Sequence, residues 1–122
     1  MNSGSYQIFI KLKKDSIIKI GALGEFNFKK GIYIYTGSAM RNLSQRIERH
    51  KRKHLKKTWW HIDYLLACVN AEIIDIKIYP SVVREECKRN QKLLKKKDTF
   101  IPVPGFGSSD CKVCKTHLVG IK

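Results

Sequence analysis

The residues from 46 to 57 form the most cationic stretch of the chain. Its basic side chains are Arg46, Arg49, Lys51, Arg52, Lys53, Lys56 and Lys57, with His50 and His54 among them. Glu48 is the only acid in this stretch, whereas a solvated helix face usually carries charges of both signs. Clustered cations attract a polyphosphate. The stretch therefore predicts a surface that contacts nucleic-acid phosphates, with a merely solvated helix face as the alternative.

Two further groups of polar residues could bind a ligand or hold structure. Arg46 and His50 are four residues apart, so a helix would place both side chains on one face. His61 and Asp63 are two residues apart and cannot face each other on a helix. We expect one of this second pair to point to the site or the nucleic acid, and the other to hold a neighbouring loop.

The cysteines near the C-terminus raise the question of a metal site. Cys111, Cys114 and His117 have a spacing that suits zinc, but they supply only three of the four ligands of a structural site. Cys87 or Asp110 could be the fourth. We expect reduced, structural thiols here instead, in a segment packed near the last helix.

The overall charge indicates a polyanionic partner. Lys and Arg number 25 against 10 Asp and Glu, which gives a formal net charge of +15. Such an excess is self-repelling in the folded state, so an anionic ligand would relieve it. No apolar run reaches the ~18 residues of a membrane-spanning helix, and the first residues do not resemble a signal peptide. We therefore expect a cytoplasmic protein without a membrane partner, in which the thiols stay reduced.

The elements that must position these residues follow from hydrophobic periodicity. Period-two alternation and β-branched or aromatic residues predict strands at 5–12, 17–20, 32–35, 72–79 and 116–121. We expect the second strand to pair with the first as a hairpin, and residues 22–30 to be a loop. Gly37 should end the third strand.

Apolar stripes and capping residues predict the helices. They should span about 43–54, 59–69 and 81–96, with Ser38 or Asn42 capping the first and Ser81 capping the third. The expected fold is α/β (α+β): a single domain, 1–122, with a small, mainly antiparallel three-to-four-stranded sheet flanked by about three helices. Residues 98–122 should be a loop-rich tail packed on that domain.

One segment resembles the second half of the GIY-YIG nuclease motif. It runs from Gly31 to Ala39 and continues with Asn42-Leu43, Arg46 and His50. In that family a strand ending in Tyr-x-Gly is followed by a helix with an Asn-Leu pair and an essential arginine. Gly4-Ser5-Tyr6 would supply the Gly-Ile-Tyr element of the first strand, because Gly31-Ile32-Tyr33 lies too close to Tyr35 to be a separate strand.

The chain is most similar to an uncharacterised branch of that superfamily, made of small single-domain archaeal and bacterial proteins. The matching segments, in order, are Gly21 to Gly24, Tyr35 to Ala39, Arg46, Arg49-His50, Trp60 to Leu65, Glu86-Cys87, Phe106 to Cys111 and His117-Leu118. The branch commonly has one residue between its two C-terminal cysteines, where this chain has two.

The resemblance implies a metal-dependent DNA endonuclease that hydrolyses phosphodiester bonds, perhaps structure-selective and active in DNA repair. Glu86 would hold one Mg²⁺ or Mn²⁺ ion. Tyr6 and Tyr35 would hold or deprotonate the attacking water, and neighbouring cations together with the metal would favour the phenolate. Arg46 would stabilise charge on the phosphate, and His50 would relay a proton.

Other interpretations of these residues remain open. Tyr6 and Tyr35 could be core or rim aromatics, and Glu86 could simply pair with Arg89 or Asn90 on a helix surface. Ser38 stands where several active members of the family carry a lysine, which weakens the argument for cutting. The alternative is a non-cutting nucleic-acid-binding module of the same fold. RNA could replace DNA, because phosphate contacts do not read the sugar.

Overall fold

A computed structural model describes residues 2–52, 58, 60–107 and 114–122. In chain order its elements are β1 (Gly4–Leu12), β2 (Ser16–Lys19), a short 3-10 helix (Gly21–Leu23), β3 (Glu25–Phe28), β4 (Gly31–Ala39), α1 (Leu43–Lys51), α2 (His61–Leu66), β5 (Ala71–Pro80), α3 (Glu86–Leu94), β6 (Thr99–Phe100) and β7 (Leu118–Ile121). The predicted mixed α+β class with a mostly antiparallel sheet and three helices is confirmed in these residues.

The main sheet has the strand order β5-β1-β4-β7-β6, and all its pairs are antiparallel. The alternation of β1 explains its central place: Tyr6, Ile8, Ile10 and Leu12 are all buried on one face. There they pack with apolar residues of α1, α2 and the β2–β3 hairpin. On the opposite face, Leu93 of α3 packs against Ile34 and Val119 of the sheet. The sheet therefore carries helices on both faces.

The pairing of the short hairpin differs from the prediction. β2 pairs with β3 in a separate two-stranded sheet, and β3 lies inside the stretch predicted to be a loop. β1 cannot accept β2 because β4 and β5 already occupy both of its edges. The sheet has five strands where three to four were predicted: the strand expected at 116–121 is present as β7 beside β4, and β6, which was not predicted, pairs with β7. The predicted tail is thus partly sheet.

Several element boundaries also differ from the prediction. β4 continues past Gly37 to Ala39, and α1 ends at Lys51 because Arg52 has an extended backbone. α3 begins at Glu86 and not at Ser81. The backbone N–H of Ser81 donates to the carbonyl of Ser3, which prolongs the contact with β1, and its hydroxyl accepts the N–H of Val83. Among the described residues, the helices are all too short and too polar to span a membrane.

Candidate active site

Tyr6 and His50 are joined at the end of the sheet where β1 begins. Tyr6 pairs with Gly37 across the β1–β4 ladder, and its hydroxyl lies 2.9 Å from Nε2 of His50. A β-carbon on Gly37 would lie only 2.7 Å from the phenol oxygen, so the glycine lets the Tyr6 ring cross β4. Both side chains are almost completely buried. The contact is therefore fixed by the sheet and by α1, and it is shielded from bulk water.

Tyr35 completes an aromatic cluster around this contact. Its ring centroid lies 6.5 Å from that of Tyr6 and 6.3 Å from that of His50. Phe106 packs edge-on against it at 6.2 Å. Tyr35 keeps some exposed surface, unlike Tyr6. The two tyrosines and the histidine that the sequence singled out thus share one site.

Burial decides the protonation of both phenols. Loss of hydration raises the pKa of Tyr6 and of Tyr35 well above the ordinary value of 10.0, and the negative charge of Glu86 raises both further. The nearby guanidinium of Arg46 lowers the two pKa values but does not offset burial. The neighbouring cations therefore do not favour a phenolate by themselves, and the effect expected of a bound metal stays a prediction. Both tyrosines are neutral hydroxyl groups at neutral pH.

Arg46 lies at the rim of the cluster and is anchored by the backbone. Its Nη1 donates to the carbonyl oxygen of Ser38 at 2.8 Å, and its guanidinium lies 4.8 Å from the ring centroid of Trp60. The residue is half-buried, with its charge close enough to Tyr6 to act on that phenol. It can therefore present a fixed positive charge to an anion at this site.

Glu86 begins α3 at the same end of the sheet. Its carboxylate lies 3.7 Å from Nη1 of Arg84 and 3.9 Å from Nδ1 of His117. The alternative pairing with Arg89 is wrong, because Arg89 instead bonds to Glu85, at 3.3 Å, and to Ser5. The Glu86 side chain is 22% exposed, so the carboxylate remains accessible to a ligand.

Arg84 is a residue at this site that sequence reasoning missed. Its Nη1 donates to the hydroxyl of Ser38 at 3.2 Å. Its side chain is 66% exposed, so the guanidinium stands at the surface beside the carboxylate of Glu86. The site thus has a second guanidinium group, bonded to the side chain of Ser38. No local pattern marked it, because the two residues are 46 positions apart in sequence.

Arg49 and Asp63 form an ion pair inside the fold. The two terminal guanidinium nitrogens of Arg49, Nη1 and Nη2, donate to the two carboxylate oxygens of Asp63 at 2.8 and 3.0 Å. Asp63 also accepts the backbone N–H of Trp60 at 3.0 Å and so caps α2. The guanidinium of Arg49 lies 4.4 Å from the Trp60 ring centroid. Arg49 and Asp63 therefore tie α1 to the start of α2, and this guanidinium is already committed to a carboxylate.

His61 holds a loop, as expected for one member of its pair. The backbone N–H of Gly107 donates to its Nδ1 at 2.8 Å, and its ring packs 5.7 Å from that of Phe106. Partial burial lowers the pKa of His61, which keeps the ring neutral and Nδ1 able to accept. Because Phe106 touches Tyr35, this bond positions the wall of the aromatic cluster.

The predicted phosphate-contacting surface is only partly described. Lys51 and Arg52 are exposed at the end of α1, and Lys51 lies 3.3 Å from the exposed Glu48. Lys53, Lys56 and Lys57 lie outside the described residues. The described part of the stretch therefore presents two exposed cations, Lys51 and Arg52, directly after His50 in the chain.

A second cluster could hold a metal ion. The sulfur atoms of Cys87 and Cys114 and a ring nitrogen of His117 all lie within 4.8 Å of one another. Cys87 comes from α3, whereas the other two come from the segment that leads into β7. Cys111, which the sequence suggested as a ligand, lies outside the described residues. The fold thus brings together Cys114, His117 and the candidate that was named only as a fourth ligand.

Comparison with known proteins gives one match, which covers almost the entire chain. A family model described as "Domain of unknown function DUF123" matches residues 5–122. No curated protein and no solved structure matches the chain. The description of the family assigns no activity, so any function must be argued from the site.

Proposed function

Since the chain belongs to the DUF123 family, whose description leaves its function open, we propose one from the site: a metal-dependent DNA endonuclease of the GIY-YIG type. It would hydrolyse phosphodiester bonds, with structure-selective cutting in DNA repair or processing as its role. The observation that carries the proposal is the contact between the Tyr6 hydroxyl and Nε2 of His50. The charges of Arg46 and Glu86 lie close enough to shift the pKa of the same phenol. These residues have the types, and stand in the order along the chain, that the resemblance to the GIY-YIG motif requires.

The donors around Glu86 fit a hard divalent cation. One accessible carboxylate suits Mg²⁺ or Mn²⁺, because Mg²⁺ keeps several waters and takes few protein ligands beside substrate phosphates. When bound, such an ion would polarise the scissile phosphate and favour ionisation of a water. Glu86 is the residue that would hold it.

The raised pKa of Tyr6 suggests a proton relay rather than a resident phenolate. The neutral hydroxyl of Tyr6 can pass its proton to Nε2 of His50 while its oxygen accepts a proton from the attacking water. No separated charge then needs to stay on the buried phenol. Tyr35 would orient the water from the other side of the cluster.

Two guanidinium groups would meet the phosphate from the surface. Arg46 is held by the Ser38 carbonyl, and Arg84 is bonded to the Ser38 hydroxyl. Planar guanidinium groups bind phosphate oxygens through paired hydrogen bonds, and their charge opposes the charge that develops as the bond breaks. Arg84 would thereby take the part of the lysine that Ser38 replaces.

A non-cutting nucleic-acid-binding module is the second candidate. The observation in its favour is the burial that keeps both tyrosines protonated, since a binder has no use for a base. The net charge of +15 and the exposed cations at the end of α1 serve either function. RNA serves as well as DNA for such contacts.

Single-turnover cleavage separates the two candidates. Branched, flapped and plain DNA duplexes are incubated with the protein and Mg²⁺ or Mn²⁺, and binding is measured in parallel. The test variants are Glu86→Gln, Arg46→Ala, Tyr6→Phe and Tyr35→Phe. Glu85→Gln is the matched control, because it removes the neighbouring carboxylate, which pairs with Arg89 and not with the site.

We expect Glu86→Gln and Arg46→Ala to reduce cleavage at least 100-fold with little loss of affinity, since both act most strongly in the transition state. At least one tyrosine variant should be slowed as severely. Glu85→Gln should cut at close to the wild-type rate. If the wild-type protein binds DNA but cuts none of the substrates, the non-cutting module is supported. If Glu86→Gln cuts as fast as the wild type, the assignment of the site is wrong.

A further inference from the structure

Cys87, Cys114 and His117 form a compact cluster of soft donors. The sulfur of Cys87 lies 3.7 Å from Nε2 of His117, although the two residues are 30 positions apart in sequence. For a tetrahedral zinc ion with Zn–S near 2.3 Å and Zn–N near 2.0 Å, the distance between sulfur and nitrogen should be about 3.5 Å. This pair is therefore already close to the spacing that zinc imposes. The sulfur of Cys114 needs to move by about 1.3 Å at most, since all three donor atoms lie within 4.8 Å of one another.

The chemistry of the three donors selects the ion. Two thiolates and an imidazole suit Zn²⁺, whereas Mg²⁺ and Mn²⁺ prefer oxygen ligands. Cys114 and His117 are buried, and Cys87 is half-buried, so solvent can approach from the Cys87 side. Three protein ligands with one position open to water are sufficient for a zinc centre.

Neighbouring groups already orient the ligands. The side-chain N–H of Gln91 donates to the sulfur of Cys114 at 3.3 Å. The backbone of His117 is fixed by hydrogen bonds with Phe106 at 2.8 Å and with Thr36 at 3.0 Å. This backbone anchoring sets the position of the imidazole before any ion binds.

The other nitrogen of His117 faces the proposed active site. Its Nδ1 lies 3.9 Å from a carboxylate oxygen of Glu86, while Nε2 faces Cys87. A metal-bound histidine commonly directs its second ring nitrogen to a carboxylate, which fixes the orientation of both groups. The imidazole would thus connect the soft cluster to the carboxylate that starts α3.

We propose that Cys87, Cys114 and His117 bind one Zn²⁺ ion through two thiolates and Nε2, and that this ion orients Glu86 through His117. Binding displaces the two thiol protons, which are released to solvent. The ion joins the first turn of α3 to the segment before β7. Orientation of Glu86 for cutting rests on the proposed nuclease function; the zinc site itself does not.

The test begins with metal binding by the whole chain, without any activity. Protein stripped by a chelator is titrated with Co²⁺ as a spectroscopic probe and then with Zn²⁺, and zinc is quantified by elemental analysis. We expect one Zn²⁺ per chain, and a cobalt spectrum with a sulfur-to-metal charge-transfer band that zinc abolishes. Absence of that band, or of stoichiometric zinc, in the folded wild-type protein would overturn the proposal.

The variants identify the ligands. Cys87→Ser, Cys114→Ser and His117→Gln should each weaken zinc binding at least 100-fold, and both cysteine variants should weaken the charge-transfer band. Cys68→Ser is the matched control: Cys68 is also a half-buried thiol, but it follows α2 and packs against the large core. Wild-type zinc affinity in Cys87→Ser would exclude this ligand set.

Cys111→Ser shows whether Cys111 is a fourth ligand. Unchanged zinc affinity fits a centre with its fourth position open to water, and a 100-fold loss of affinity would overturn the set of three protein ligands.

Two further measurements separate this proposal from the nuclease proposal. Glu86→Gln should lower zinc affinity by about 10-fold to 100-fold, the effect of losing a carboxylate that orients a ligand. Unchanged zinc affinity in that variant would overturn the link to Glu86. If zinc binds but no DNA substrate is cut, the nuclease proposal fails and the metal site stands. If DNA is cut and no zinc binds, the reverse holds.

Discussion

Arg49 donates to both carboxylate oxygens of Asp63, and the Asp63 side chain has no exposed surface. The pair lies between α1 and the start of α2, and Trp60 stacks on the same guanidinium. A buried carboxylate is stable only while it is paired and hydrogen-bonded, because transfer of a charge out of water is costly. The pair therefore fixes the helix that carries Arg46 and His50.

Removal of the Arg49 charge should be strongly destabilising. Arg49→Met leaves the Asp63 carboxylate buried without its cation, so the free energy of unfolding should fall by about 3 kcal/mol. Lys51→Met is the control, because it breaks an exposed pair with Glu48 and should cost less than ~1 kcal/mol. Urea unfolding of the three proteins measures both values. Equal small losses would show that the Arg49–Asp63 pair is not needed for the fold.

Gly37→Ala should disturb Tyr6 specifically. The added methyl group would meet the phenol ring at 2.7 Å, and forced repacking of a filled site costs about 1–3 kcal/mol. In a Tyr6→Ala background the clash is absent, so the penalty of Gly37→Ala should shrink by at least about 1 kcal/mol. Urea unfolding of the four proteins gives this coupling. The same penalty in both backgrounds would mean that Gly37 is required for another reason.

His61 should make the protein sensitive to mild acid. Its pKa is lowered in the folded state, so between that value and the unfolded value near 6.5 the unfolded chain binds more protons. Its stabilising contribution is then present above pH ~6.5 and is lost as the pH falls through the lowered folded pKa. Urea unfolding from pH 7.5 to 5 should show this loss.

His61→Asn is the informative comparison for this prediction, since an amide oxygen can still accept from Gly107 but does not titrate. The difference in stability between the wild type and His61→Asn should change across this pH range. A constant difference would exclude His61 as the titrating group.

DNA binding through the cationic stretch should depend strongly on salt. If about five phosphates are neutralised, log K should fall against log salt with a slope of roughly −4 to −5. Replacement of Lys51, Lys53 and Lys56 by Glu should weaken binding to all sequences alike and flatten the slope. The matched control reverses Lys92, Lys95 and Lys96, three exposed lysines at the end of α3 on the other face of the sheet. If this control weakens binding as much, net charge and not the stretch is responsible.

The sequence was sufficient for features that depend on local periodicity and on the order of motifs. Alternation over 5–12 and 72–79 predicted two long strands, and β1 and β5 occupy nearly the same residues. The resemblance to the GIY-YIG motif implied that Tyr6, Tyr35 and His50 share a site, and the three rings do cluster. Such predictions succeed because side-chain alternation is set by the backbone of each strand, whatever it packs against.

Tertiary packing decided which strands pair, which distant side chains meet, and whether the phenol of Tyr6 is protonated. Whether β2 pairs with β1 or β3 depends on which edges of β1 are occupied, and β5, more than fifty residues away, takes one of them. The contacts of Arg84 with Ser38 and of Cys87 with His117 join residues 46 and 30 positions apart, and no spacing rule reaches that far. The neutral state of Tyr6 follows from desolvation in a folded core, where burial outweighs the charge of Arg46. Hydration is a property of the packed structure, so the residue types alone could not predict the direction of this shift.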